Sequence, residues 1–221
     1  TQNGVHGVRY EQGNPELESQ RSYEADLSTH YHNNWLMLDI AGFYNRISNY
    51  IYIAPTEDSI NDYRVYRYTQ NSADIYGTEI SMNVLPVDWF DIRASYSWIE
   101  AVREDGENLP LIPHDKLKAD FSYQPQDVWK FNTVCVNLGG TYAFEQKNIA
   151  PSESISDAYF LMHAGISGAV MAGRYPVRLS VRINNLLDEK YIDHLSTLKD
   201  MGFYNMGRNI VVSLKVPFGV K

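Results

Sequence analysis

The stretch Val177-Arg178-Leu179-Ser180-Val181-Arg182-Ile183-Asn184 alternates apolar and polar side chains without a break. Successive side chains of an extended strand point to opposite faces, so this pattern predicts a strand with one apolar and one polar face. The same alternation, or a weaker form of it, marks the other predicted strands, at 23–31, 35–51, 76–84, 90–98, 117–123, 131–142, 159–168 and 210–218. The sequence therefore predicts about nine strands and almost no helix.

The predicted connections differ in length in a regular way. Short connections, which contain Asn, Pro or Gly, lie at 33–34, 85–88, 124–130 and 169–176. Long polar connections lie at about 53–64, 100–115, 143–158 and 186–207. Short and long connections alternate along the chain, as expected for a membrane barrel with short periplasmic turns and long extracellular loops.

Aromatic residues are abundant, with 17 Tyr, 8 Phe and 4 Trp. Tyr and Trp suit a boundary where one end of the side chain is apolar and the other is hydrated. Those near the short connections are Tyr31, Trp35, Trp89, Phe90, Tyr123, Trp129, Tyr175 and Phe218. The pattern favours one interfacial girdle of a barrel; the alternative is the aromatic core of a soluble β-sandwich.

Composition excludes several classes of protein. The formal charge of −8 argues against nucleic acid as a partner, and the single Cys135 allows no internal disulfide. No apolar run is long enough for a transmembrane helix. The N-terminus shows no signal peptide, so we expect either that one has been removed or that the chain is a fragment.

Six motifs occur in a specific order. They are Asn14-Pro15-Glu16-Leu17, the run at 43–51, Tyr76-Gly77-Thr78-Glu79, Leu109-Pro110-Leu111-Ile112-Pro113, the Asn-Asn-Leu-Leu-Asp-Glu-Lys-Tyr run at 184–191, and Gly207-Arg208-Asn209 before the last strand. Together they resemble the C-terminal half of TonB-dependent outer-membrane receptors, over nearly the whole chain.

The resemblance implies an all-β, antiparallel up-and-down transmembrane barrel of about 22 strands around an N-terminal plug. Residues 1–221 would then be the C-terminal portion of the barrel. The plug and the remaining strands would come from the same or another chain. Nine strands cannot enclose a plug, because the diameter of a barrel grows with strand number.

The implied function is TonB-driven uptake of a scarce solute across the outer membrane of a Gram-negative cell, without bond chemistry or a cofactor. Iron–siderophore is the typical solute, and the run at 195–200 resembles a branch with metal-uptake receptors. The alternatives are a passive porin-like barrel and a receptor for oligosaccharide, cobalamin or haem. A barrel enzyme is a further alternative, although no catalytic motif such as Gly-x-Ser-x-Gly is present.

Ligand contacts are expected on the extracellular loops, because binding residues concentrate on loops. Arg binds carboxylates and catecholate-like anions, whereas His and Asp near each other could touch a metal chelate. The predicted residues are Arg64, Tyr66, Arg67, His114, Asp193 and His194, with Tyr63, Tyr68 and Asp200 beside them. We expect His114 and His194 to be exposed, so that replacing either leaves the stability of the barrel unchanged.

Two further groups of residues carry predictions. His30 and His32 share a strand face and could bind a metal, but lack further ligands, which favours two solvated side chains. Charges expected to face the lumen, paired with each other or with the plug, are Asp91, Arg93, Lys116, Lys118, Asp120, Arg178 and Arg182.

The end of the chain resembles the signal that the barrel-insertion machinery reads. A glycine opens the last predicted strand, apolar residues alternate along it, and a phenylalanine follows. The residues concerned are Gly207, Ile210, Val212, Leu214, Val216 and Phe218. The three residues at 219–221 extend beyond that phenylalanine, which departs from the usual pattern.

Overall fold

The computed structural model describes residues 3–6, 9–125, 128, 131–173 and 175–217. These residues form one 11-stranded sheet and a single short 3-10 helix, Lys199–Met201. The strands are β1 Gly4–His6, β2 Arg9–Gln12, β3 Arg21–His32, β4 Leu36–Ile60, β5 Tyr63–Val87, β6 Phe90–Arg103, β7 Lys116–Tyr123, β8 Asn132–Ala143, β9 Tyr159–Ala172, β10 Tyr175–Asn184 and β11 Asn209–Lys215. Within the described part of the chain, no helix has the length and apolar character needed to cross a membrane.

The nine strands β3 to β11 pair antiparallel with their sequence neighbours, in an unbroken up-and-down order. This arrangement confirms the predicted all-β, antiparallel fold. The sheet is open among the described residues, because β3 and β11 each pair with one strand only. An edge strand presents unpaired N–H and C=O groups to any further strand.

The register brings the alternating side chains of neighbouring strands onto common faces. Val181 of β10 lies opposite Ile166 of β9 and Val212 of β11, so the apolar residues form one continuous face. We call this the apolar face, and many of its large side chains are exposed. The opposite, polar face carries rows such as Arg93 opposite Asp120.

Gly77 of β5 shows why a glycine stands in the Tyr76-Gly77-Thr78-Glu79 motif. Gly77 pairs with Phe43 on one side and with Ile99 on the other. A Cβ atom at position 77 would lie 2.5 Å from the carbonyl oxygen of Trp98 and 2.9 Å from the Phe43 ring. Only a residue without a side chain lets these three strands pack so closely.

The predicted long loop at 53–64 is wrong. Strands β4 and β5 contain 25 residues each and are joined by Asn61 and Asp62, which have φ angles of 51° and 66°. Such positive φ angles at both central residues suit a tight hairpin turn. The strands extend past the end of β6, where polar residues occupy both faces and the alternation that predicts strands disappears.

The N-terminal strands β1 and β2 were not predicted. Strand β2 pairs parallel with residues 64–67 of β5, beyond the point where Arg103 at the end of β6 faces Ala73. Parallel pairing of such a short segment depends on contacts far along the chain, and its sequence has no diagnostic alternation. The sheet is therefore antiparallel except at this one contact.

Aromatic residues gather at the end of the sheet that carries the short turns. Tyr31, Trp35 and Tyr175 are exposed there. The rings of Trp89 and Tyr123 meet edge to face with centroids 5.6 Å apart. Trp129 and Phe218, which belong to the same predicted girdle, lie outside the described residues.

Most of the predicted insertion signal lies on β11 or beside it. The side chains of Ile210, Val212 and Leu214 are exposed, as is that of Val216 just after the strand. Gly207 precedes the strand, where a Cβ atom would lie 2.9 Å from Oδ1 of Asp188.

The best-buried hydrophobic residues lie at the loop end of the sheet. Ala73, Ala101 and Leu109 form a cluster, against which Tyr50, Tyr52, Ile75 and Ile112 pack. Leu109 is completely buried although it belongs to the connection between β6 and β7. The long connections are therefore folded onto the sheet and onto one another, and this packing positions the candidate site.

Candidate functional site

Three long loops meet at this end of the molecule: the 104–115, 144–158 and 185–208 loops. Gln146 links the first two, because its side-chain amide donates to the carbonyl oxygens of Ile112 at 3.0 Å and Pro113 at 2.9 Å. Glu153 links them again by accepting hydrogen bonds from the backbone N–H groups of Leu111 at 2.9 Å and Ala150 at 3.0 Å. Polar side chains therefore fix the loops.

His114 lies inside this network rather than on an exposed loop surface, and the expectation of exposure is wrong. Its residue exposure is 2%. Nδ1 donates to the carbonyl oxygen of Phe144, and Nε2 accepts a hydrogen bond from the backbone N–H of His194 at 3.2 Å. Burial is the main cause that lowers the pKa of His114, and an imidazole with one donor and one acceptor contact is neutral.

His194 is also buried, at 3% exposure, so the same correction applies to it. Its Nδ1 accepts hydrogen bonds from Oγ of Ser156 at 2.9 Å and Nζ of Lys199 at 3.0 Å. Its Nε2 faces Oε1 of Glu153 at 3.5 Å. Burial is the main cause that lowers the pKa of Lys199, while the charges of Glu153 and Asp200 oppose that shift.

Asp193 anchors the 185–208 loop to the sheet. Its Oδ2 accepts a hydrogen bond from the Tyr159 hydroxyl at 2.7 Å and an ion pair from Lys116 at 3.3 Å. Burial alone would raise the pKa of this carboxyl, but the hydrogen bonds from Tyr159 and from the backbone of Leu195, with the charge of Lys116, lower it. Asp193 is therefore a charged anchor.

A cavity of about 850 Å³ lies between the loops and the extended β4–β5 hairpin. It brings together three of the predicted contact residues, Arg64, Tyr66 and His194. Its other lining residues are Arg9, Ile53, Pro110, Leu111, Ser152, Glu153, Ser154, Leu195, Ser196, Thr197, Lys199, Asp200 and Met201. The hairpin and all three loops thus share one concave surface.

The other predicted contact residues lie elsewhere. Arg67 does not line the cavity, because neighbouring positions of β5 face opposite sides and Tyr66 occupies the cavity side. Asp193 lines a second cavity of about 390 Å³ on the polar face, with Lys116 and Lys118. Arg64, Tyr66 and Arg67 also belong to strand β5, not to a loop as predicted.

Sequence reasoning missed Arg9 and Glu153. The guanidinium of Arg9 lies over the Tyr66 ring, 5.3 Å from its centroid, and pairs with Glu11 at 2.7 Å. Arg9 reaches the cavity only through the parallel pairing of β2 with β5. No local pattern in the sequence predicts that pairing. By contrast, Lys199 and Asp200 lie close to His194 in the sequence, so their presence at the same site is less surprising.

The profile described as "TonB dependent receptor-like, beta-barrel" matches residues 3–186. The chain belongs to this family. The resemblance carried by the six motifs is thereby confirmed, and the up-and-down sheet has the fold of this family's β-barrel.

Solved structures with the same fold are receptors and transporters. The copper transporter OprC superimposes with a TM-score of 0.78 at 18% identity, over 90% of this chain and 31% of that one. The FrpB iron transporter from Neisseria meningitidis superimposes with a TM-score of 0.68 at 11% identity, over 93% of this chain and 32% of that one. The ferric-catecholate import receptor Fiu from E. coli K12 superimposes with a TM-score of 0.61 at 16% identity, over 97% of this chain and 29% of that one. The chain spans about a third of the length of these structures.

Members of this receptor-like family are transporters, not enzymes, and the side chains at Ser156 fit that role. Ser156, His194 and Glu153 are arranged like a Ser–His–acid triad, at 2.9 and 3.5 Å. However, Lys199 donates to the same His194 nitrogen that would have to accept the proton of Ser156. Ser156 is itself 4% exposed. This arrangement suits a bridge between loops.

Among residues 3–6, 9–125, 128, 131–173 and 175–217, no group of three His, Cys, Asp or Glu side chains is arranged to hold a metal ion. His30 instead pairs with Asp39 on the neighbouring strand.

The charges expected to face the lumen are partly paired. Asp91 forms an ion pair with Arg93 at 3.1 Å, and the carboxylate of Asp120 lies 2.7 Å from Nε2 of His163. Lys116 bonds Asp193, as described above.

Proposed function

We propose that this chain is the C-terminal part of the barrel of a Gram-negative outer-membrane receptor that imports an iron–siderophore or another metal complex. The observation that carries the proposal is the 850 Å³ cavity, in which Arg64, Tyr66 and His194 come together from separate parts of the chain. Binding pockets of this size hold a small-molecule ligand with a few convergent polar groups.

The two faces of the sheet support the membrane setting. Apolar side chains such as Leu179, Val212 and Leu214 are exposed along the apolar face, which suits contact with outer-membrane lipid. A soluble protein would cover so large an apolar surface. The polar face suits a hydrated lumen that holds a plug. The plug and the remaining strands would come from the same or another chain, and TonB would act through the plug.

The guanidinium group of Arg64 favours an anionic complex. Arg9, Arg64 and Lys199 line the cavity with Glu153 and Asp200, and Arg9 is already paired with Glu11. The hydrogen bond of Arg64 found among the described residues is a long one, from Nε to the carbonyl oxygen of Thr56 at 3.4 Å. Its remaining N–H groups are therefore available for carboxylate or catecholate oxygens. One guanidinium group can bind two such oxygens at once through two parallel hydrogen bonds.

The names of structural neighbours point the same way. One is called a copper transporter, one an iron transporter and one a ferric-catecholate import receptor. Each of those solutes contains a metal ion. The sequence identities between those proteins and this chain are low, so the likeness covers the fold alone. The family and the cavity together support metal-complex uptake.

The test is uptake of radiolabelled iron complexes by cells that express the complete receptor. Ferric catecholate, ferric hydroxamate, ferric citrate and haem are compared, with and without an energised inner membrane. We expect energy-dependent uptake of an anionic ferric complex, reduced by Arg64→Ala but not by Arg67→Ala, the matched arginine outside the cavity. Entry that persists without energy would point to a passive pore and would contradict the proposal.

A further inference from the structure

One buried contact holds the start of a loop segment that forms part of the cavity wall. His194 opens the 194–201 segment, whose residues form much of one side of the cavity. The backbone N–H of His194 donates to Nε2 of His114, which belongs to the 104–115 loop, 80 positions earlier. The rings of the two histidines stand edge to face, with centroids 6.0 Å apart.

The geometry requires His114 to be neutral. Its Nδ1 is committed as a donor to the carbonyl oxygen of Phe144, so Nε2 must be the unprotonated acceptor. A proton on Nε2 would face the N–H of His194, donor against donor, in a site with 2% exposure. A buried polar group that loses its partner is strongly unfavourable, so the contact would open.

We propose that His114 is a pH-sensitive latch: while neutral it holds the 194–201 segment against the cavity, and on protonation it releases that segment. The latch regulates the site described under Proposed function, and its significance for uptake rests on that proposal. His114 does not line the cavity, so it acts as a positioning residue through His194.

The charges around His114 decide which form prevails. The charged or titratable groups that face it are Asp193, Lys116, His194 and Tyr159. Burial lowers the pKa of His114 most strongly, and Lys116 and His194 lower it further. The Phe144 carbonyl and Asp193 raise it, but not enough to reverse the shift.

The direction of the pH effect follows from this shift. A histidine with a lowered pKa binds fewer protons in the closed state than in the open one. The latch is therefore fully closed above the ordinary histidine pKa of about 6.5 and weakens as the pH falls below it. Acid should loosen the cavity wall, and neutral pH should restore it.

The experiment follows the segment directly, without any ligand. A nitroxide label is placed at Leu198→Cys, an exposed position that does not line the cavity, in the complete receptor with Cys135 replaced by Ser. Spectra are recorded between about pH 7.5 and about pH 5, either side of the ordinary histidine pKa. We expect a reversible shift from the immobilised to the mobile component as the pH falls.

Two glutamine variants assign the transition. In His114→Gln the side-chain oxygen can still accept from His194 but cannot be protonated, so the pH-dependent shift should disappear. His163→Gln, on the polar face beside Asp120, should keep the wild-type transition. Wild-type mobility that does not change with pH, or an unaltered transition in His114→Gln, would overturn the latch. Because no ligand is present, this result is independent of the uptake assay.

Discussion

Glu153 accepts a hydrogen bond from the backbone N–H of Leu111, 42 positions earlier and on a different loop. Its second carboxylate oxygen accepts from the N–H of Ala150. Burial raises the pKa of Glu153, but the His194 imidazole, whose Nε2 lies 3.5 Å from Oε1, and the two backbone N–H groups outweigh burial and lower it. The ionised carboxylate therefore joins the 104–115 and 144–158 loops, together with the side chain of Gln146.

Glu153→Gln should loosen both loops. An amide has one oxygen for two N–H donors, so one donor loses its partner, at a cost of about 1–3 kcal/mol. We expect faster protease cleavage within the two loops, measured on the folded receptor, and weaker solute binding. Glu107→Gln removes the same charge from an exposed position of the 104–115 loop and should change neither.

Protonation of Glu153 should loosen the loops at a lower pH than protonation of His114 does. Because the pKa of Glu153 is lowered on folding, its contribution is complete above the ordinary glutamate pKa of about 4.3 and is lost only as the pH falls through the lowered value. Loop cleavage measured against pH should thus show an acid phase below that range, which Glu153→Gln removes. Retention of that phase in the variant would contradict the assignment.

Gly77 and Gly42 offer a matched pair for testing close packing of strands. A Cβ atom at Gly77 would lie 2.5 Å from the Trp98 carbonyl oxygen, whereas one at Gly42 meets nothing nearer than 3.8 Å. Backbone atoms cannot move aside, so Gly77→Ala should destabilise the barrel by about 1–3 kcal/mol. Gly42→Ala should be nearly neutral. Urea unfolding in lipid vesicles measures both, and equal effects would refute the steric argument.

The nine strands β3 to β11 were predictable because each contains a regular stretch whose two faces differ. Val177 to Asn184 alternate in sequence and lie in β10, where the register places Val181 between Ile166 and Val212. The extended hairpin escaped prediction because its sequence shows no regular alternation of apolar and polar residues, although Val65 within it is buried. There the local signal was the turn at Asn61-Asp62.

The site was less predictable, because its contacts join distant parts of the chain. Arg64, Tyr66 and His194 were predicted from residue type, and the cavity contains all three. The burial of His114 and His194 was not predictable, since polar loop sequences carry no periodicity that reports packing between loops. Arg9 depends on the parallel β2–β5 pairing, which no local motif specifies.

Tyr159 and Tyr191 test the anchor at Asp193. The Tyr159 hydroxyl donates to Asp193 at 2.7 Å, while the two tyrosine rings pack with centroids 4.5 Å apart. Tyr159→Phe keeps the ring but removes a hydrogen bond to a charged acceptor, at a cost of about 1.5–3 kcal/mol. We expect faster hydrogen exchange in the 185–208 loop. Tyr191→Phe, which preserves this bond, should exchange like the wild type.

The facing of the sheet can be tested on neighbouring residues of β10. Val181 lies on the apolar face between Ile166 and Val212, while Ser180 lies on the polar face opposite Ser167 and Ser213. Arginine on a lipid-facing side near the bilayer midplane costs about 2–4 kcal/mol, because it must lose water or draw water into hydrocarbon. Val181→Arg should therefore destabilise the complete receptor far more than Ser180→Arg.

A soluble β-sandwich would also be destabilised by Val181→Arg, so a labelling experiment must separate burial in protein from contact with lipid. Cysteine is placed at Val181 or at Ser180, with Cys135 replaced, and each receptor is reconstituted in vesicles. At position 181 we expect reaction with a lipid-phase probe, because its side chain belongs to the apolar face. At position 180 we expect reaction with a water-soluble thiol reagent, since a hydrated lumen gives that reagent access. Equal labelling of both positions by the water-soluble reagent would show that the apolar face does not lie in the membrane.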